Sequence, residues 1–250
     1  MSHLHRLFWS AGLVLVVMAA LAVLEGVAAF HKGSIWRRDH LSANLGLTVM
    51  TLGLAFALAI VTSRSPLQGR GLLERSGLQP TLAILIGVGV LDFATYAAHW
   101  LMHRVPLFWR VHRVHHADPL VDVTTALRQH PLEGVLRFAF ILAPALALGL
   151  PPEAVMIYRL LSVLNALLEH MNIRVCHPQH PQGASLEATA RDGLELRKHS
   201  LCVRSHLPDV TPTARAEVDY GLEGYDATER QRFGALLRLP FLASIDVKKP

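Results

Sequence analysis

Five long apolar runs leave this chain few folds to choose from. Leu7 to Phe30 is interrupted only by Glu25 and small polar residues, and Leu41 to Thr62 carries no charge. Thr81 to Leu101 holds one acid, Asp92; Gly134 to Leu150 has Arg137 near its start; Glu153 to Leu168 contains Arg159. A helix needs ~20 mostly apolar residues to cross a bilayer. In lipid every backbone N–H and C=O must also be satisfied within the segment, which helices achieve. The runs therefore predict an all-α, integral membrane bundle of about four to five spanning helices. Pro151 and Pro152 break the last two runs into a helical hairpin. The first run has Ala20-Leu21-Ala22, which looks like a cleavage site. Its apolar core far exceeds the ~7–15 residues of a signal peptide, so it reads as an uncleaved anchor.

Composition agrees. Of the 250 residues, 52% are hydrophobic and 17% charged, with a mean hydropathy of +0.34. A soluble domain carries roughly 25% charged residues, and a disordered chain needs more polarity still. The net charge is +5. The basic residues are spread over loops, which disfavours nucleic acid and suits a membrane surface. Cys176 and Cys202 cannot build a disulfide framework. Met171 onward holds 11 Lys+Arg and 10 Asp+Glu with no run long enough to span, so it reads as a soluble tail.

Orientation follows from basic residues in short loops. Lys32, Arg37 and Arg38 follow the first span, and Arg104, Arg110, Arg113 and Arg128 follow the third. Arg6, Arg64, Arg70 and Arg75 fall on the other side. The bias places the third span's end and the tail in the cytoplasm. Arg104, Arg110 and Arg113 read first as positive-inside anchors, with headgroup or electron-donor contact as the alternative.

The chain holds 15 histidines. His99 and His103 are four apart at the end of the third span, so a helix puts both rings on one face. His112, His115 and His116 repeat that convergence after a short loop. Five histidines within 18 residues at a membrane boundary form a metal-ligand arrangement, and neutral imidazole suits iron, copper, zinc and nickel. His99-Trp100-Leu101-Met102-His103 lacks the Glu of a zinc-protease motif. Asp92 and Tyr96 share the stripe of His99. An acid inside a membrane needs a partner, and Asp92 either caps a polar water pocket or accepts a ring N–H from a ligating histidine. His130 is either a ligand or the end of the loop before the fourth span. His170, closing the fifth span, returns to the same side and is predicted as a ligand. His3, His5, His31 and His40 read as surface residues.

At these residues the chain resembles the fatty acid hydroxylase/sterol desaturase superfamily, in its bacterial members. The resemblance rests on Asp92-Phe93-Ala94-Thr95-Tyr96 leading to His99-x-x-x-His103, and on His112-Arg113-Val114-His115-His116. It extends through Asp122 to Glu133, His170-Met171-Asn172-Ile173-Arg174, and Tyr220 to Asp226. It implies a cytosolic histidine-rich cap holding two irons. These would use O2 to attack an unactivated C–H of a lipid (a sterol, a fatty acyl chain or a relative), giving an alcohol or an alkene. Further implications are a bacterial inner-membrane location and an external electron donor of reductase, ferredoxin or cytochrome type, since no flavin, haem or ferredoxin motif is present. The rival readings are a catalytically inactive pseudo-enzyme and a bis-histidine haem electron carrier. The chain divides into a two-helix region (1–79), the histidine-box region (80–175), an anomalous segment (176–210) and a C-terminal tail (211–250).

The anomaly is a missing third box, H-x-x-H-H, and a missing T-D-x-N-Y-G-N-like stretch. Pro181 to Leu186, written CCA CAG GGT GCA TCA CTC, reads one base later as H-R-V-H-H. Asp192 to His199, written GAC GGA CTC GAA CTA CGG AAA CAT, reads one base later as T-D-S-N-Y-G-N. Residues 176–210 are therefore expected to be out of frame between two compensating shifts. His177, His180, His199 and His206 are then incidental, the segment is expected to be poorly ordered, and the metal set is incomplete.

Overall fold

The computed structural model describes residues 3–28, 38–63, 71–172, 174–177, 180–185, 221–222, 224–225 and 227–242. The architecture is all-α. Helices α1 (His3–Ala28), α2 (Arg38–Ser63), α4 (Pro80–Arg104) and α6 (Pro131–Leu148) are each long and apolar enough to cross a membrane. Helix α7 (Pro152–His170) fills the fifth run. It holds Arg159 and Asn165, and it is not among the four helices apolar enough to span. Shorter helices are α3 (Leu72–Arg75), α5 (Pro106–His116) and α8 (Phe233–Arg238), with 3-10 turns at Val123–Leu127 and Leu239–Phe241. The strands among the described residues are one hairpin, Arg174–His177 against His180–Ser185, in the register Arg174 to Ser185 and His177 to His180. Most of 176–210 lies outside the described residues.

Proline starts four of the helices. Pro80, Pro106, Pro131 and Pro152 sit in the first turns of α4, α5, α6 and α7, where the missing N–H costs nothing and the fixed φ suits a helix. Gly149 stops α6 with φ 63, a left-handed cap that glycine adopts without a Cβ clash. Helices α4 and α7 approach closely at Gly87, where a Cβ would lie 2.8 Å from that of Ala154.

The outer faces are apolar. Phe8, Val16, Val23, Val49, Leu85 and Phe93 are among the exposed large hydrophobics. Such a girdle is untenable in water, and these faces belong in lipid: the chain is an integral membrane protein. Polar burial concentrates at one end, where α1, α4 and α7 finish, α2 and α6 begin, and α5 crosses. The described C-terminal stretch packs there too. Leu222, Tyr225, Leu236 and Leu239 are buried with Ala43 and Leu47 of α2 and with Trp109, Val114 and Ala117.

Candidate metal centre

The residue before a proline avoids helical backbone. Val105, ahead of Pro106, is extended at φ −88 and ψ 117. It ends α4 just after His103, and α5 then turns across the end of the bundle. His99 and His103 on α4 thereby meet His112, His115 and His116 on α5. His170, the last residue of α7, joins from a third direction.

Three pairs of rings meet nitrogen to nitrogen. Nε2 of His99 is 3.1 Å from Nε2 of His103, Nε2 of His112 is 3.2 Å from Nε2 of His116, and Nε2 of His115 is 3.1 Å from Nε2 of His170. Two imidazole nitrogens each ~2.1 Å from one metal ion and at right angles stand ~3 Å apart, so all three spacings are those of neighbouring metal ligands. The pairs interlock. Ring centroids are 4.7 Å apart for His99 and His112, and 4.9 Å apart for His103 and His116. One ligand atom from each of His99, His103 and His112 can be chosen so that all lie within 4.8 Å of one another. The pair His115–His170 lies to one side, its centroids 4.9 Å apart and His115 5.2 Å from His116. Trp109 packs on His103 and His116, at 5.4 Å from each.

The donor set fits iron, as it would other metals that prefer imidazole. A ligating histidine must be neutral. Burial, then the neighbouring His170, His116 and His112, hold His115 well below the usual histidine range. The Nδ1–H of His170 donates to the Ala166 carbonyl at 2.8 Å, which leaves its Nε2 with the lone pair that faces His115.

Two further residues of the histidine stripe stand apart from the cluster. Asp92, two helical turns before His99 on α4, makes no hydrogen bond to a clustered ring among the described residues. The carboxylate that does is Glu133, whose Oε1 accepts from Nδ1 of His112 at 2.9 Å and from Nε of Arg137 at 3.2 Å. Tyr96 is half-buried and its ring meets Phe93 at 6.4 Å. His130 caps α6: its Nδ1 accepts from the Leu132 N–H at 3.2 Å and its Nε2 donates to the Leu237 carbonyl at 3.2 Å. Both nitrogens of His130 are thus engaged with backbone.

A second polar network, which hydropathy did not signal, sits beside the rings. Arg128 is fully buried. Its Nε donates to the Val114 carbonyl at 3.1 Å, Nη1 to Oδ1 of Asn44 at 2.8 Å and Nη2 to Oε1 of Gln231 at 2.6 Å. Gln231 in turn donates to the carbonyls of Ala117 and Tyr225. His40 meets Asp118 at 2.9 Å, and Thr125 donates to Asp118 at 2.7 Å. Burial raises the Asp118 carboxyl, but the Arg128 guanidinium and the His40 hydrogen bond outweigh it and hold it well below the usual carboxylate range. Glu25 accepts from the backbone N–H of Val123 at 2.9 Å and of Asn172 at 2.7 Å. The surface reading of His40 is therefore corrected: it is buried. Arg128 and Arg113, counted among the basic loop residues, are buried as well, and Arg113 donates to the carbonyls of Leu239 and Leu242. Loop composition reports charge, whereas burial depends on partners far along the chain. The one local signal was the Asp122-x-x-Thr125 capping box around Val123–Leu127.

Residues 84–193 match the family model described as Fatty acid hydroxylase. The match supports the resemblance to the fatty acid hydroxylase/sterol desaturase superfamily. The matched region contains all six rings of the cluster. A similar protein is Ornithine lipid hydroxylase OlsE from Rhizobium tropici, 24% identical over an alignment of 182 residues that covers 67% of this chain and 54% of the relative. The chain thus spans about half the length of this curated relative. No solved structure matches.

Proposed function

We propose that this protein is a membrane di-iron oxygenase that hydroxylates a lipid. The observation that carries the reading is the set of three Nε2-to-Nε2 approaches of 3.1–3.2 Å at one end of the bundle. His99, His103, His112 and His116 would hold one iron, and His115 with His170 would begin a second site. When bound, the irons supply O2 chemistry that no side chain can perform. The overall reaction balances as R–H plus O2, two electrons and two protons giving R–OH and water. The electrons come from a separate reductase, ferredoxin or cytochrome-type protein. The family description and the similar OlsE both favour hydroxylation over desaturation, and an ornithine lipid is the first substrate to test.

The chain's own residues do the rest. The helical girdle keeps the site at the end of a lipid-embedded bundle, so an apolar substrate reaches it without leaving the bilayer. Trp109, packed at a tilt against two rings, shields that side from water. The basic loops favour the cytosolic face of a bacterial inner membrane. With two rings among the described residues, the His115–His170 position is a half-site, and the out-of-frame reading of 176–210 would supply further histidines. The chain as written is then impaired, and a frame-restored chain is active.

Lipid profiling of cells in 18O2 tests this. Cells expressing the frame-restored chain are expected to accumulate a lipid heavier by one 18O atom, which is absent with the chain as written and with His112→Ala. No labelled lipid from the restored chain contradicts the proposal. A Soret band in the purified protein would favour the haem alternative.

A further inference from the structure

Glu133 is the fully buried acid of α6, in the first turn after the His130 cap. Its Oε1 carries both of its hydrogen bonds among the described residues, from His112 and Arg137, while its Oε2 is buried with no hydrogen-bond partner among them. A carboxylate has about four acceptor positions, so the second oxygen has acceptor capacity to spare. A second such atom lies close by. Nδ1 of His115 is buried without a partner among the described residues, and Glu133 is near enough to His115 for the two to interact electrostatically. His112 and His115 belong to different Nε2 pairs, the one with His116 and the other with His170.

The geometry points to Glu133 as a positioning residue shared by both halves of the cluster. Accepting from Nδ1 of His112 puts that ring's proton on Nδ1 and its lone pair on Nε2, toward His116. The second oxygen offers the same service to Nδ1 of His115, which would turn Nε2 of that ring toward His170. One carboxylate would thus fix the tautomer of a ring in each pair. Arg137 donates to the same carboxylate from one turn further along α6. A carboxylate or carbonyl behind a metal-bound histidine raises ligand basicity and fixes ring orientation, and its loss typically costs ~10–100-fold in metal affinity.

This rests on the metal-centre reading, and the experiment separates the two. Co2+ is titrated into the detergent-purified full chain and followed by calorimetry and visible absorption. The wild type is expected to bind. Glu133→Gln keeps the side chain's shape and loses its charge; Co2+ affinity is expected to fall by ~10-fold or more, with a changed visible spectrum. Glu133→Asp keeps the charge but withdraws the oxygens from His112, and is expected to bind more weakly too; it also serves if the Gln variant does not fold. Wild-type affinity and spectrum in a folded variant would overturn the role of Glu133 and leave the metal centre standing. No Co2+ binding by the wild type would overturn both.

Discussion

The two ends of the bundle are held together in different ways. At the end where α6 stops, Gly71 and Gly149 bring backbone against backbone, and Leu91, Leu150 and Tyr158 form a small buried cluster. At the histidine end the fully buried side chains include Arg128, His112, Glu25, Glu133 and Asn44. Shape and apolar packing hold the first end, where alternatives of similar volume would serve. Named donors and acceptors hold the second, and removing one strands its partner in a dry interior. The difference teaches that the bundle's position in lipid and the arrangement of its rings depend on separate sets of residues.

The strongest challenge to that contrast is Arg128→Ala. Removing one member of a buried charged network typically costs ~3–5 kcal/mol, and here it would also take the donor from the side-chain oxygens of Gln231 and Asn44. A large drop in the thermal midpoint of the detergent-solubilised protein is expected; a drop no larger than at the opposite end would erase the distinction. Gly87→Leu tests that opposite end. The added side chain must push α7 away at Ala154, and overpacking of this kind costs ~1–3 kcal/mol, with Co2+ binding kept. Acid probes the network through Asp118. Its folded pKa lies below the unfolded value of ~3.9, so its contribution is complete above that value and is lost as pH falls through the folded pKa. The wild type should therefore lose melting temperature more steeply than Asp118→Asn below about pH 4. Phe93→Leu on the lipid-facing side of α4 sets the floor, with a change within about 0.5 kcal/mol.

The same contrast explains what the sequence makes legible. The spans could be read because lipid demands long apolar runs, and Pro80, Pro106, Pro131 and Pro152 mark helix starts locally. The meeting of His99 and His103 with His112 and His116 was legible from helical spacing plus the break before Pro106. Arg128 was not, because its partners Asn44 and Gln231 lie 84 and 103 residues away. Glu133 was hidden for a similar reason: nothing in its neighbours tells that α6 begins against His112. Asp92 drew attention as the one acid in its span, yet the hydrogen bond to a clustered ring comes from another helix.

In the proposed centre, imidazoles from α4 and α5 gather on a metal. Iron K-edge X-ray absorption on the full chain, loaded with Fe2+ without oxygen, tests it most directly. Imidazole nitrogen at ~2.1 Å is expected to dominate the ligands of the iron, with the iron content falling sharply in His112→Ala. Iron held only by oxygen ligands, or held equally well without His112, would contradict it.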